Sequence, residues 1–217
     1  MKWAAVLVID LFVDTHYPAY HIYREQELAG MQDYVKGCEA DLAFVRQYKE
    51  LGNTITLSMV VKNEAERYLK QVLNSLNGHI NAAVIINDES SDNTTNICRE
   101  ILKGIPFHII KNDKSMFASE SELRKKQWSE TIKTNPDWIL NLDADEILEA
   151  GFWDEAKKLL NDSHFDIYSF RLYDMWNETH YREDQYWNAH NSYRPFLIRY
   201  QPKFNYRWKE NIESNYN

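Results

Sequence analysis

The sequence predicts an α/β fold in which a mostly parallel sheet is flanked by helices. Three observations carry this. Short apolar runs alternate with helix-patterned segments from Ile55 onward. The runs are continuous rather than alternating, as strands buried on both faces are. Polar clusters follow the first, second and fourth strands of this series, on the edge where a doubly wound sheet gathers its ligand.

Taken in order, Val6 to Phe12 reads as a strand, and Glu25 to Leu51 has helical composition up to the stop signal Gly52-Asn53. Residues 1–52 are therefore read as a mainly helical extension with a packing or oligomerisation role, a route to a homo-oligomer. Ile55–Val61 is a buried-type strand, and Ala65–Leu76 an amphipathic helix ending near Gly78. Ala82–Ile86 is the next strand, followed by a polar turn and a helix over Thr94–Leu102. Phe107–Ile110, a helix over Ser119–Ile132 and a strand over Trp138–Leu142 complete residues 53–150 as a βα unit. Such repeats impose parallel strands and right-handed crossovers. Residues 151–217 differ in character: a helix over Phe152–Leu160, strands near Ile167–Leu172 and Phe196–Tyr200, and, between Tyr168 and Asn217, close to half of the chain's aromatic residues. Those rings serve either as core or as faces on which a carbohydrate stacks.

At 217 residues the chain suits one domain with an extension. A net charge of −8 with no long basic run argues against nonspecific nucleic-acid binding. Cys38 and Cys98 lie far apart with no metal-ligand spacing, which fits free thiols in a reducing compartment. The run Trp3–Val13 is too short to span a bilayer and lacks a cleavage site. The expectation is a cytoplasmic protein without a transmembrane segment, with peripheral membrane association left open.

The polar clusters are Lys62-Asn63-Glu64, Asn87 to Thr94, and Asp143-Ala144-Asp145-Glu146. The last packs carboxylates that repel one another unless a cation lies among them, and at a strand's carboxyl end that cation is Mg²⁺ or Mn²⁺ on a phosphorylated ligand. A solvated turn leading into a helix with an acidic start explains the segment alone equally well, and Glu146 fits that reading. Three clusters on one sheet edge favour a site. No GxxxxGKS, GxGxxG or GxSxG motif is present, so the chemistry rests on carboxylates and a metal–diphosphate pair rather than on a glycine cradle or a triad.

Ser58-Met59-Val60-Val61-Lys62-Asn63-Glu64, Ile86-Asn87-Asp88-Glu89-Ser90-Ser91-Asp92-Asn93-Thr94 and Trp138 to Glu146 resemble, in order and spacing, the family 2 glycosyltransferases of the GT-A fold. The match covers about residues 54–150 well and the tail only loosely. The resemblance implies a GT-A fold, a nucleotide-diphosphate sugar donor, UDP-linked by expectation, and Mn²⁺ or Mg²⁺. By position, Asp88 resembles the carboxylate that binds the donor base, and Val60, Lys62, Asn63 and Glu64 the loop that cups the nucleoside. Asp143 is similar to the DxD residue near the ribose, also counted as a metal ligand, and Asp145 to the one that ligates the metal. Arg124 falls where the family often has Arg-Asn, but Lys125 replaces the Asn; Glu89 replaces a common glycine.

The resemblance also implies inversion, which requires a base within hydrogen-bond reach of the acceptor hydroxyl. Asp174, Glu178, Glu183, Asp184 and Glu210 are candidates after the DxD, with Asp184 first and Glu183 second. His180 and His190 read more simply as exposed or packed side chains. The expected activity is transfer of a sugar to a glycan or other hydroxyl acceptor, in polysaccharide biosynthesis. The alternatives are a non-catalytic GT-A-like module that binds nucleotide or glycan, and a sugar-nucleotide pyrophosphorylase, which would want a glycine-rich loop near its first strand.

Overall fold

The computed structural model describes residues 53–162, 165–177, 179–204 and 206, and the backbone of one strand over residues 5–8. The rest of the extension expected over 1–52, and with it the oligomerisation role, lies outside the described residues, as do Cys38, Glu178 and Glu210. In chain order the elements are β1 (Ala5–Val8), β2 (Ile55–Val61), α1 (Leu69–Ser75), β3 (Ala82–Asn87), α2 (Thr94–Leu102), β4 (Phe107–Lys111), α3 (Glu120–Ile132), β5 (Trp138–Asn141), β6 (Glu146–Leu148), α4 (Phe152–Asn161), β7 (Ile167–Asn177), β8 (His180–Tyr181) and β9 (Tyr193–Arg199).

One sheet runs β4-β3-β2-β5-β9-β7-β1-β6, with β8 paired to β7. The first four strands are mutually parallel, β9 and β7 enter antiparallel, and β6 returns parallel to β1. This is the mixed sheet flanked by helices that the sequence pattern implies.

All seven residues of β2 are buried, and their alternation sorts them between two faces. Ile55, Leu57, Met59 and Val61 join the main core with Leu69, Val72 and Leu73 of α1, Cys98 and Leu102 of α2 and Phe152, Ala156, Leu159 and Leu160 of α4. Val60 faces the other way, meeting Ile86 and Leu123 of α3. The α3 side of this interface is partly polar: Leu123, Gln127 and Thr131 are buried at four-residue spacing. Each polar member is satisfied, Gln127 donating to Asn141 Oδ1 at 2.9 Å and Thr131 lying 2.8 Å from the Ser58 hydroxyl.

Three expectations change. The helix expected from Ala65 starts at Leu69: residues 65–68 form a turn in which Arg67 N–H bonds to the Glu64 carbonyl at 3.1 Å, and Val72 N–H then reaches the Tyr68 carbonyl at 2.9 Å. Glu146 does not open a helix: it is the buried first residue of β6, and the acidic-helix reading of the cluster falls with it. The strand expected near Ile167–Leu172 runs on to Asn177, held by β1 on one side and by β8 beyond it.

Candidate active site

The three sequence clusters converge where β2, β3 and β5 end side by side. The first two are stapled together. Asn63 N–H donates to Ser90 Oγ at 3.0 Å, and Asn63 Oδ1 accepts Ser91 N–H at 2.9 Å. Asp92 accepts Ala65 N–H with one oxygen and Thr94 N–H with the other, which caps α2. Burial alone would raise the Asp92 pKa, but these bonds and the Thr94 hydroxyl hold it below the ordinary value. Asn63 and Glu89 both sit at positive φ, 52° and 63°. At Glu89 glycine would be unstrained, yet the side chain there accepts Ser115 N–H at 3.1 Å and lies 3.9 Å from Lys62 Nζ.

Asp88 is fully buried. Its Oδ1 accepts Asn112 Nδ2 at 2.6 Å and Met116 N–H at 2.9 Å, and its Oδ2 accepts the Ser115 hydroxyl at 2.6 Å. Lys126 Nζ in turn donates to Asn112 Oδ1 at 2.6 Å. Burial pushes the Asp88 pKa up, and the Ser115, Asn112 and Met116 bonds with the Lys62 charge more than reverse that, leaving it lowered. Both Asp88 oxygens are thus engaged by the segment 112–116.

At the third cluster, exposure alternates. Asp143 and Asp145 are partly exposed, Ala144 and Glu146 buried. Arg124 of α3 donates to Asp143 Oδ1 at 3.0 Å, held from behind by Gln127. Arg67 bridges Glu64 at 2.7 Å and Asp145 at 3.7 Å, which brings the first loop onto the DxD turn. Glu64 Oε2 is buried without a hydrogen-bond partner, and burial raises the Glu64 pKa against the pull of Arg67, with Asp145 adding repulsion. Burial pushes the Glu146 carboxyl up to about 8, with Asp143 adding to the rise.

No group of three or more His, Cys, Asp or Glu side chains is arranged to hold a metal among the described residues. Asp143 and Asp145 still suit Mg²⁺ or Mn²⁺, which bind through one or two carboxylates and take their remaining oxygens from substrate phosphates and water.

Of the described base candidates, Asp174 lies in β7, level with Glu146 across β1 since both pair with Ala5, and Glu183 and Asp184 follow β8. Asp184 Oδ1 accepts the N–H groups of Tyr186 and Trp187 at 2.7 and 2.9 Å, closing its own turn. Glu183 is exposed, 3.6 Å from Nε2 of the buried His190. His190 stacks on Tyr173 at 5.5 Å between centroids, so it is a packed residue with one edge toward a carboxylate. The Arg182 guanidinium lies 3.7 Å from the Trp187 ring centroid and 5.1 Å from that of Trp176. Asp174 is in β7 beside β1, and His180 bonds locally to Asn177 and Thr179.

Sequence reasoning missed Arg67 and the 112–116 segment, and offered Glu146 only an acidic helix start where it opens β6. Arg67 had a signal, its three-residue spacing from Glu64. Asn112, Ser115 and Met116 had none, because their partner Asp88 is distant in sequence and Met116 contributes only its backbone.

Among the described residues no helix is long and apolar enough to cross a membrane. Curated glycosyltransferases of uncharacterized activity from Rickettsia felis and Rickettsia bellii are 28% and 29% identical to this chain over 114 and 118 residues, 52% and 54% of its length. The chain covers 36% of the length of each. Among solved structures, Staphylococcus aureus TarS in complexes with UDP and UDP-GlcNAc is 17% and 16% identical, with TM-scores of 0.43 and 0.44, over 52% of this chain and 34% and 33% of TarS. The family model for glycosyl transferase family 2 matches residues 56–215, nearly the whole chain beyond the N-terminal extension, and the chain belongs to that family.

Proposed function

We propose that this protein transfers a sugar, with inversion, from a nucleotide-diphosphate donor to a hydroxyl acceptor, using a divalent cation. The observation that carries the reading is the pair Asp143 and Asp145, presented outward from a buried turn and contacted by arginines from α3 and from the first loop. UDP is the proposed nucleotide, in keeping with the family, and the acceptor is a glycan or another hydroxyl compound.

In this reading Asp145, with Asp143, holds Mn²⁺ or Mg²⁺, which supplies positive charge to the departing diphosphate. Val60, Lys62, Asn63 and Glu64 shape the nucleoside cup, with Asn63 spending its side chain on keeping the first two loops together. Asp88 contributes to base recognition by ordering residues 112–116, since both its oxygens face that segment. Arg124 orients Asp143 and adds positive charge at the ribose and diphosphate side. The acceptor hydroxyl loses its proton to a carboxylate of the Glu183-Asp184 pair. Glu183 leads, because His190 backs it while Asp184 is committed to its turn.

A thermal-shift screen of nucleoside diphosphates with and without Mn²⁺ tests the reading. UDP with Mn²⁺ should raise the melting temperature more than either alone, by selective binding to the folded state. No shift with any nucleoside diphosphate would end it. Release of sugar from the donor separates an enzyme from a pure binding module, which would release none.

A further inference from the structure

Glu146 is the acidic residue of the DxD turn that neither the metal–diphosphate reading nor the packing of the sheet requires. It begins β6, is 7% exposed, and shares its face of the strand with the buried Leu148. A carboxyl group at such a position costs free energy that an aliphatic side chain would not. What it gains is local. Glu146 Oε2 accepts the Asp143 N–H at 2.7 Å, and the Glu146 N–H donates to the Asp143 carbonyl at 3.2 Å. These two bonds close Asp143-Ala144-Asp145-Glu146 into a ring, with the first and third side chains facing out and the second and fourth facing in.

We propose that Glu146 is a positioning residue that clamps the Asp143 backbone, so that the Asp143 and Asp145 carboxylates project together toward the cation and diphosphate. The cation's part in this rests on the function proposed above; the clamp itself does not. The arginines cannot supply the same constraint. Arg124 and Arg67 hold the two carboxylates from α3 and the first loop, through ion pairs that an arriving cation competes with. A bond from inside the turn to a backbone N–H survives that exchange. Supporting groups behind a metal ligand act in this way elsewhere, and their loss weakens metal binding by about tenfold to a hundredfold.

Three variants of the full chain test the clamp. Glu146→Gln keeps an oxygen to accept the Asp143 N–H. Glu146→Met fills similar volume without an acceptor. Glu146→Asp keeps the carboxyl group but falls short of the N–H, and replaces the Met variant if that does not fold. Two measurements apply: Mn²⁺ affinity in the presence of UDP, and hydrogen exchange over residues 142–148. Glu146→Gln should stay close to the parent in both. Glu146→Met or Glu146→Asp should weaken Mn²⁺ binding by about tenfold to a hundredfold and speed exchange at the Asp143 amide, with the melting temperature far less affected. Parent-like Mn²⁺ affinity or parent-like exchange in these variants overturns the proposal, and so does a Gln variant as damaged as the Met one. A parent that binds no Mn²⁺ with UDP defeats the proposed function instead, and the exchange data then decide the clamp alone.

Discussion

In the parallel half of the sheet, polar side chains at the strand ends are bonded to one another across long sequence distances. Asp88 reaches Asn112, Ser115 and Met116, Asn63 reaches Ser90 and Ser91, and Arg124 reaches Asp143. In the antiparallel half, the polar side chains past β7 bond mostly to near neighbours: Asp184 to its own turn, His180 to Asn177 and Thr179. Large rings stand exposed there, Trp176 at 56% and Tyr186 at 81%. A preorganised, cross-braced region suits a ligand of constant shape, such as a nucleoside diphosphate. A locally held aromatic rim suits a partner whose identity changes more readily between relatives.

That contrast breaks first at the base. Glu183→Gln should lower transfer by about 10²- to 10⁴-fold while donor binding stays intact. Asp184→Asn keeps an oxygen for the Tyr186 and Trp187 N–H groups, so its turnover should remain near that of the parent. Steady-state kinetics on the two variants decide between them, and the reverse outcome returns the role to Asp184.

Next in size is the donor side. Asp145→Asn should reduce transfer about 10²- to 10³-fold, as expected on losing one fixed contributor to charge stabilisation at the leaving group. Its signature is weakened Mn²⁺-dependent UDP binding, measured by calorimetry. Unchanged binding would remove Asp145 from the metal.

The same contrast explains what was legible in the sequence. β2 and α2 fall where the pattern puts them, because β2 is buried on both faces and α2 follows a polar turn after Asn87. The start of α1 was not legible, since residues 65–68 carry helical composition yet form a turn tied by Glu64 and Ala65 to the loop of Asp92 and Thr94. Glu146 misled for a different reason. Acidic residues favour helix starts as a rule, but β1 lies far upstream in the chain and captures residues 146–148 as a parallel partner. Asp143 and Asp145 could be located by motif and Arg124 by its position before the DxD strand, whereas the reach of Arg67 to Asp145 comes only from the fold. In the antiparallel half, the pattern gave positions for the base candidates but no geometry to rank them.

Asp88→Asn sharpens the comparison at the level of stability. The variant keeps one acceptor oxygen, but its amide NH2 must face either Asn112 or Ser115, each of which donates to the carboxylate in the parent, and Met116 N–H loses one of its two acceptors. The expected loss is about 1–3 kcal/mol at neutral pH, read from denaturant midpoints, with raised mobility confined to residues 112–117. An Asn variant as stable as the parent would mean that the network orders nothing.

The smallest effect is the pH dependence of that loss. The Asp88 pKa is lowered in the folded chain relative to its ordinary value of 3.8. An unfolded chain therefore binds the proton more readily, and the carboxylate contributes stability that is fully present above the unfolded pKa. That contribution fades as pH falls below 3.8 toward and through the folded value. The stability gap between parent and Asp88→Asn should accordingly be constant from neutral pH down to about 5 and narrow below about 4. Asp92 is lowered in the same direction and titrates in both proteins, so it cancels in the difference. A gap that stays constant down to pH 3 would mean that the hydrogen bonds, and not the charge they favour, hold residues 112–116 against β3.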